Sequence, residues 1–303
     1  MHIALTGATG FVGRYIVRHL VAAGHTLRCW HRRGSDRSGL ESLGEAIQWL
    51  EGELGDNRAS AALMQGCDAV VHAGLYHTSR GFERSEGPII PFVEKNVVGT
   101  LKLIEAARAA SVPRFVYISS CAVYHKILPD RPLDETHPLW PGSHYGAHKA
   151  ALEKFVHSYA ADVGYPICAL RPTGVYGLAH PPSESKWFGL VRAVVRGESV
   201  TCEKGGKEVH ASDVARAIEI LLTAPADRIS GEAFNCVDRY VSEWDVAHLV
   251  KELSGSQAHI GGQQTRPKNQ IVTKKLESLG MQFGGDGLLR ATMAELVEAA
   301  KQN

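Results

Sequence analysis

Tyr145 and Lys149 are the residues of this chain best placed to move a proton. They stand four apart in Tyr145-Gly146-Ala147-His148-Lys149, at the start of a stretch, Tyr145–Val163, with helical spacing. Positions i and i+4 share one helix face, so the Lys149 ammonium can lie a turn away from the Tyr145 phenol. A cation there stabilises the phenolate and lowers a tyrosine pKa from its usual value of about 10. A phenol tuned in this way can protonate a carbonyl oxygen or deprotonate an alcohol. Tyrosine and lysine recur at this spacing by chance; here they follow, by 25 residues, a Ser119-Ser120 pair that ends a strand-like run, which makes the arrangement specific.

A second feature binds rather than reacts. Thr6-Gly7-Ala8-Thr9-Gly10-Phe11-Val12-Gly13 follows the apolar run His2–Thr6 and opens the helical pattern Phe11–Ala23. Glycines at 7, 10 and 13 permit a tight turn, let backbone approach a pyrophosphate, and let the helix pack closely on the strand. The helix N-terminus adds N–H groups and the positive end of its dipole.

The elements that must position these residues are legible too. Apolar runs at His2–Thr6, Thr26–His31, Ala46–Leu50, Ala69–His72, Arg114–Ser119 and Pro166–Arg171, with Ala233–Val237 later, alternate with helical patterns at Phe11–Ala23, Val93–Ala110 and Tyr145–Val163. Such alternation predicts βαβ units, and the near-continuous apolarity of the runs suits strands buried on both faces of a parallel sheet. From about Gly174 the rhythm breaks: Pro181-Pro182 marks a loop, Trp187–Arg196 reads as a helix, and short strands and helices mix thereafter.

Bulk properties exclude several classes. Of 303 residues, 44% are hydrophobic and 21% charged, and 33 Lys plus Arg balance 32 Asp plus Glu. This neutrality gives no general electrostatic reason to expect nucleic acid or an anionic membrane as a partner. The run Ile3–Leu5 lacks a basic leader and is too short for a signal peptide or a membrane span. Cys29, Cys67, Cys121, Cys168, Cys202 and Cys236 are scattered, with no CxxC pair and no Cys/His metal spacing, and HExxH is absent. No metal site is expected. The cysteines read as reduced core residues of a cytoplasmic protein.

The spacing Thr6-Gly7-x-x-Gly10-x-x-Gly13 resembles the TGxxGxxG motif of the extended short-chain dehydrogenase/reductase family. Asp68-Ala69-Val70-Val71-His72-Ala73-Gly74 is similar to that family's DxVxHxAA strand, and Ser119-Ser120-Cys121-Ala122-Val123-Tyr124 to its SSxxVYG segment. Tyr145 and Lys149 match its YxxxK pair, and Arg171-Pro172-Thr173-Gly174-Val175-Tyr176-Gly177 its RPxxVYG turn. The resemblance implies an α/β fold: a Rossmann-type doubly wound parallel sheet over residues 1–173, with returning segments near 207–240, and a smaller, discontinuous α+β substrate lobe over 174–303. It implies Ser120, Tyr145 and Lys149 as the catalytic group, Ser120 orienting the substrate oxygen while Lys149 tunes Tyr145 and holds the ribose. Contacts to a dinucleotide would come from Gly7, Thr9, Gly10, Phe11, Val12, Gly13, His31, Arg32, Glu53, Leu54, Ala73, Pro172 and Val175, together with Tyr145 and Lys149. Ser119 reads as structural, Asn96 as structural or a relay, His72 as a packed core histidine, and Asp213 as a helix cap.

NAD users of this family usually place an acid where His31 stands. Here the stretch is His31-Arg32-Arg33, with no carboxylate before Asp36. Arginine presents a fork of donors matched to phosphate oxygens, so NADP is expected over NAD, with Arg32 the better candidate. Cys121-Ala122 stand where the family's sugar dehydratases carry Asp-Glu, which disfavours elimination. Gly206 stands where its nucleotide-sugar enzymes keep an arginine, which favours a small, non-nucleotide substrate. His77, Arg80, His125 and His144, with Ser120 and Thr173, are expected around that substrate, and their cationic character suggests a sugar-like or sugar-acid molecule. The expected activity is hydride transfer between the nicotinamide of NADP and a secondary alcohol or ketone. A nucleotide-sugar 4-epimerase retaining NAD and a cofactor-sensing regulator without chemistry are the alternatives. The resemblance also implies a homodimer joined through the helices at Val93–Ala110 and Tyr145–Val163.

Overall fold

Ala69–His72, Phe115–Ile118 and Ile167–Pro172 are buried at every position, as strands covered on both faces must be. The computed structural model describes residues 1–77 and 87–302. Among these the strands are β1 (His2–Thr6), β2 (Thr26–His31), β3 (Ile47–Glu51), β4 (Ala69–His72), β5 (Phe115–Ile118), β6 (Ile167–Pro172), β7 (Gly174–Tyr176), β8 (Val200–Cys202), β9 (Gly205–His210), β10 (Ala233–Cys236), β11 (Arg239–Ser242) and β12 (Ile260–Gly262). Seven of them form one sheet in the order β3-β2-β1-β4-β5-β6-β10, with every neighbouring pair parallel. This is the Rossmann-type doubly wound arrangement. Its strand order reverses between β1 and β4, where the carboxyl ends of such a sheet leave a crevice for ligands.

Contacts divide the chain into two compact units, Met1–Pro172 with Val214–Cys236 and Val272–Met281, and Thr173–Asp213 with Val237–Ile271 and Gln282–Asn303. The boundaries differ from those read in the sequence. Residues 207–213 stay in the second unit, mostly as β9, and Val272–Met281 returns to the first. That return is pinned by backbone: the Val272 N–H donates to Leu133 O at 2.9 Å, and Asn235 Nδ2 donates to Val272 O at 3.1 Å.

In the first unit, strand residues Ala4, Val70, Phe115, Tyr117, Ile167 and Ala169 pack with Leu63, Leu103, Ile104, Leu152 and Val156 from helices Asn57–Met64, Gly99–Ala109 and His144–Val163. Each Val, Leu, Ile or Phe side chain among them stabilises the fold by roughly 1.5–3 kcal/mol when fully buried. The helix expected over Val93–Ala110 starts earlier, at Ile89, and its Glu94–Val98 stretch is wound as π-helix, a local widening common at functional sites.

The second unit carries a three-stranded sheet, β11-β9-β7, and a two-stranded one, β12-β8. Strand β9 runs antiparallel to β11 and parallel to β7. Helices Phe188–Val195, Glu243–Ser254 and Gly285–Lys301 close its core with Val191, Val194, Val246, Val250, Met293 and Leu296. The Glu243–Ser254 helix starts at a reciprocal pair of hydrogen bonds between Ser242 and Asp245, which satisfies two otherwise orphaned backbone donors. No described helix is long and apolar enough to cross a membrane. All six cysteines are buried and carry free thiols.

Candidate active site

The glycine turn is shaped by contacts that a side chain would prevent. Gly7 has φ +77°, and a Cβ there would lie 2.6 Å from Ala73 O at the end of β4; a Cβ on Gly13 would overlap Gly7 O. Gly10 opens the helix Phe11–Ala22, whose first turn holds no acidic residue. The backbone at Gly7 therefore lies against Ala73, while Phe11, Val12 and Gly13 present N-terminal N–H groups that have no partner within the helix. A cradle of backbone donors with no negative charge in it fits a pyrophosphate.

Beyond β2, Arg32 and Arg33 are exposed, and His31 lies 6.1 Å from Trp49, edge to face. The sequence reading missed Arg14. This arginine is 3% exposed, with Nε donating to Thr9 O at 3.2 Å and Nη2 to Asp36 O at 2.8 Å. Its guanidinium also stands 3.4 Å from the Asp36 carboxylate. Arg14 thus ties the glycine turn to the loop after β2 and occupies the first acid of that loop. Its place one residue after the last glycine was the available signal. Glu53 is exposed and pairs with Lys95 at 2.9 Å, while Leu54 is buried.

Ser120, Tyr145 and Lys149 come together. Ser143 caps the helix His144–Val163 by accepting the Gly146 N–H. A Cβ on Gly146 would overlap Ala122 O, so this glycine lets the helix press onto the turn Cys121–Val123 that follows Ser120. Ser120 Oγ accepts the Ala122 N–H at 3.1 Å and is hydrogen-bonded to the Tyr145 hydroxyl. Lys149 is 5% exposed. Its Nζ donates to Ile118 O at 2.6 Å and lies 5.8 Å from the centre of the Tyr145 ring and 4.6 Å from that of Tyr117.

Charge balance corrects one expectation. Tyr145 is held above the ordinary phenol range because burial outweighs the hydrogen bond from Ser120. Lys149 is pulled down to about 7 by burial, against the opposing attraction of Glu153. Desolvation, rather than the cation one turn away, sets the resting proton on Tyr145.

Behind this trio lies a second buried group that spacing alone did not reveal. Arg171 Nε donates to both carboxylate oxygens of Glu153, at 2.9 and 3.0 Å, Ser119 Oγ donates to the same carboxylate, and Arg171 also reaches Tyr124. Glu153 follows Lys149 by four residues, the same helix-face signal that ties Lys149 to Tyr145. Ser119 is therefore structural. His72 joins Thr6 at 2.6 Å and Thr100 at 2.8 Å, and burial lowers its pKa to about 3; it is a packed neutral histidine. Asn96, in the π-wound stretch, fixes the backbone of Tyr76 through two hydrogen bonds of 2.8 and 2.9 Å. Cys121 lies in a short 3-10 turn rather than on a strand, with Sγ donating to Arg171 O. Asp213 lies in the first turn of the helix Ala211–Thr223 and accepts the Gly284 N–H at 3.0 Å.

The expected substrate residues are less gathered. His77 is half-buried, whereas His125 and His144 are exposed; Arg80 lies outside the described residues. Lys126 covers the Trp140 ring at 5.1 Å. Pro172 is buried in the first unit, and Thr173 and Val175 belong to the second. The Thr173 hydroxyl is buried without a partner. A cavity of about 330 Å³ lined by Glu135, His157, Arg171, Glu232 and Lys275 includes none of the predicted site residues. No group of three or more His, Cys, Asp or Glu among the described residues could hold a metal ion.

The model of the NAD dependent epimerase/dehydratase family matches residues 3–236. The chain is 28% identical to the 4-hydroxy-2-methyl-3-oxo-4-farnesyl-3,4-dihydroquinoline-1-oxide ketoreductase of Stigmatella aurantiaca, over 86% of this chain and 75% of that one. It is 27% identical to the dTDP-D-glucose 4,6-dehydratase of Homo sapiens, over 83% and 72%. Its fold is similar to that of UDP-glucose 4-epimerase from Thermotoga maritima, solved with UDP-glucose, with a TM-score of 0.81 at 22% identity over 100% and 99% of the two chains.

Proposed function

The chain belongs to the NAD dependent epimerase/dehydratase family, enzymes of the extended short-chain dehydrogenase/reductase type, and from that premise we propose that it is an NADP-dependent oxidoreductase interconverting a ketone and a secondary alcohol of a small, polar, sugar-like or sugar-acid substrate. The observation that carries this reading is the hydrogen bond between Ser120 and Tyr145 with the Lys149 ammonium beside the same ring. When bound, a nicotinamide supplies or accepts the hydride at the reacting carbon.

The chain's own residues do the rest. Ser120 holds the substrate oxygen, and Tyr145 delivers a proton to it in reduction or removes one in oxidation. The protonated phenol serves the donating role and its phenolate the accepting one. Lys149 favours the phenolate left after transfer and offers its ammonium to the cofactor ribose. The Gly7–Gly13 turn takes the pyrophosphate. Arg32 offers its fork to a 2′-phosphate, and Arg14 supports this choice by neutralising Asp36, the nearest acid.

Purified protein assayed for NADPH and NADH oxidation across ketoses, lactones and sugar acids tests the reading. Tyr145→Phe is expected to lose ~10²–10⁴-fold in turnover, and Arg32→Ser to lose its preference for NADPH. Undiminished turnover by Tyr145→Phe rejects the mechanism.

A second reading, a nucleotide-sugar 4-epimerase with retained NAD, draws support from 27% identity to the UDP-glucose 4-epimerase of Streptomyces lividans over 70% of this chain. It requires protein that purifies with NAD and interconverts UDP-sugars without net change in reduced-nicotinamide absorbance. We further propose a cytoplasmic homodimer joined through the helical stretches Val93–Ala110 and Tyr145–Val163, on the strength of six buried free thiols and the exposed apolar residues Val98, Phe155 and Val163.

A further inference from the structure

Glu153 is one acid between two buried cations, all three within the first unit. It follows Lys149 by four residues in the helix His144–Val163, so the two side chains share a helix face, and Arg171 of β6 meets it from the sheet. Glu153, Arg171 and Lys149 are 6%, 3% and 5% exposed. Arg171 Nε donates to both carboxylate oxygens and Nη2 donates to Oε2 at 2.5 Å, while Ser119 Oγ donates to Oε1. Two positive charges out of water beside a single negative one form an unfavourable group. A pair that served only to brace the fold would be complete with Arg171 and Glu153; the extra cation is the lysine beside Tyr145.

The other titratable neighbours of Lys149 supply no negative charge. Tyr145 and His148 face it from its own helix, Tyr117 from β5 and His72 from β4. Burial holds both phenols above their ordinary range and lowers the imidazoles to about 2 for His148 and about 3 for His72, so all four are neutral near pH 7. Ile118 O accepts from Lys149 Nζ but contributes only a dipole. Among the described residues, Glu153 is the carboxylate whose charge acts on Lys149, and its attraction opposes the burial that would neutralise the amine.

We propose that Glu153 is a positioning residue of the catalytic group: its carboxylate, shared between Arg171 and Lys149, keeps Lys149 in its ammonium form beside Tyr145, while the bond from Ser119 steadies the strand end that presents Ser120. The proposal rests on the catalytic reading given above, but its first test does not depend on turnover.

The experiment follows the protonation of Lys149 by NMR in full-length protein carrying isotope-labelled lysine, its Cε signal identified by its loss in Lys149→Arg. The parent is compared with Glu153→Gln and with the double variant Glu153→Leu with Arg171→Met, melting curves confirming that each is folded. The double variant removes both charges at once and strands neither, a replacement that buried pairs commonly tolerate, so it carries the test if Glu153→Gln does not fold. In both variants the pH midpoint of Lys149 is expected to fall by about one pH unit or more. An ammonium is present below its midpoint and lost above it. NADPH-dependent turnover of a ketone is therefore expected to drop about tenfold below the parent near pH 8 and to lie within about twofold of it near pH 6. An unchanged Lys149 midpoint in a folded variant overturns the proposal. So does a loss of turnover that is the same at every pH, the mark of a merely structural role. A lowered midpoint with an unaltered pH profile would instead reject the part given to Lys149 in the catalytic reading and leave the assignment of Glu153 standing.

Discussion

Glu153 in the first unit and Glu208 in the second are buried carboxylates beside a cation, and the two pairs are built to opposite standards. In the first, Glu153 receives Arg171 on both oxygens and Ser119 as well. In the second, Glu208 receives Lys186 on one oxygen and nothing on the other. The arginine is 4% exposed at its side chain and the lysine 34%. A saturated pair fixes structure, here the floor beneath Ser120 and Lys149. An unsaturated pair leaves one carboxylate oxygen without a partner from the protein.

The sharpest way to break this comparison is to remove each cation. Arg171→Met strands a fully buried charge and is expected to cost ~3–5 kcal/mol in urea unfolding. Lys186→Met is expected to cost far less, ~1 kcal/mol, because the lysine is a third exposed and Glu208 can take up a proton. Equal losses would show that the two pairs play the same role.

A further test of the second pair is one of pH. Burial raises Glu208 from 4.5 to about 7, against the pull of Lys186. A carboxyl whose folded pKa is raised contributes stability that is fully present below its unfolded value and is lost as pH rises through the folded one. Glu208→Gln should therefore unfold at nearly the parent's urea midpoint near pH 4.5, and at a higher midpoint than the parent near pH 8. A difference that does not change with pH would show that the carboxyl is not titrating in this window.

What the sequence disclosed was local. Strands β1, β2 and β4 appeared at their observed limits because an apolar run bounded by turns needs no partner to be recognised. The glycine turn and Tyr145 with Lys149 were legible because their spacing is imposed by one helix turn or one tight loop. What it concealed was set by register. Glu153 and Arg171 lie 18 residues apart, and only the packing of the helix His144–Val163 on β6 makes them partners. Glu208 is a charged residue in a short strand, a pattern that ordinarily faces solvent, and Gly174 is what lets it lie flat, since a Cβ there would lie 2.5 Å from Glu208 Oε2. Arg14 reads as a surface cation on an amphipathic helix until the loop after β2 folds over it. Val272–Met281 carries no periodic signal that would return it to the first unit.

The chain passes from one unit to the other after Pro172, Asp213, Cys236, Ile271 and Met281. No single cut can release either unit as a continuous polypeptide, and no simple fusion can exchange one. A new preference in such an enzyme is therefore more readily acquired by replacing individual residues on a fixed framework than by recombining whole segments.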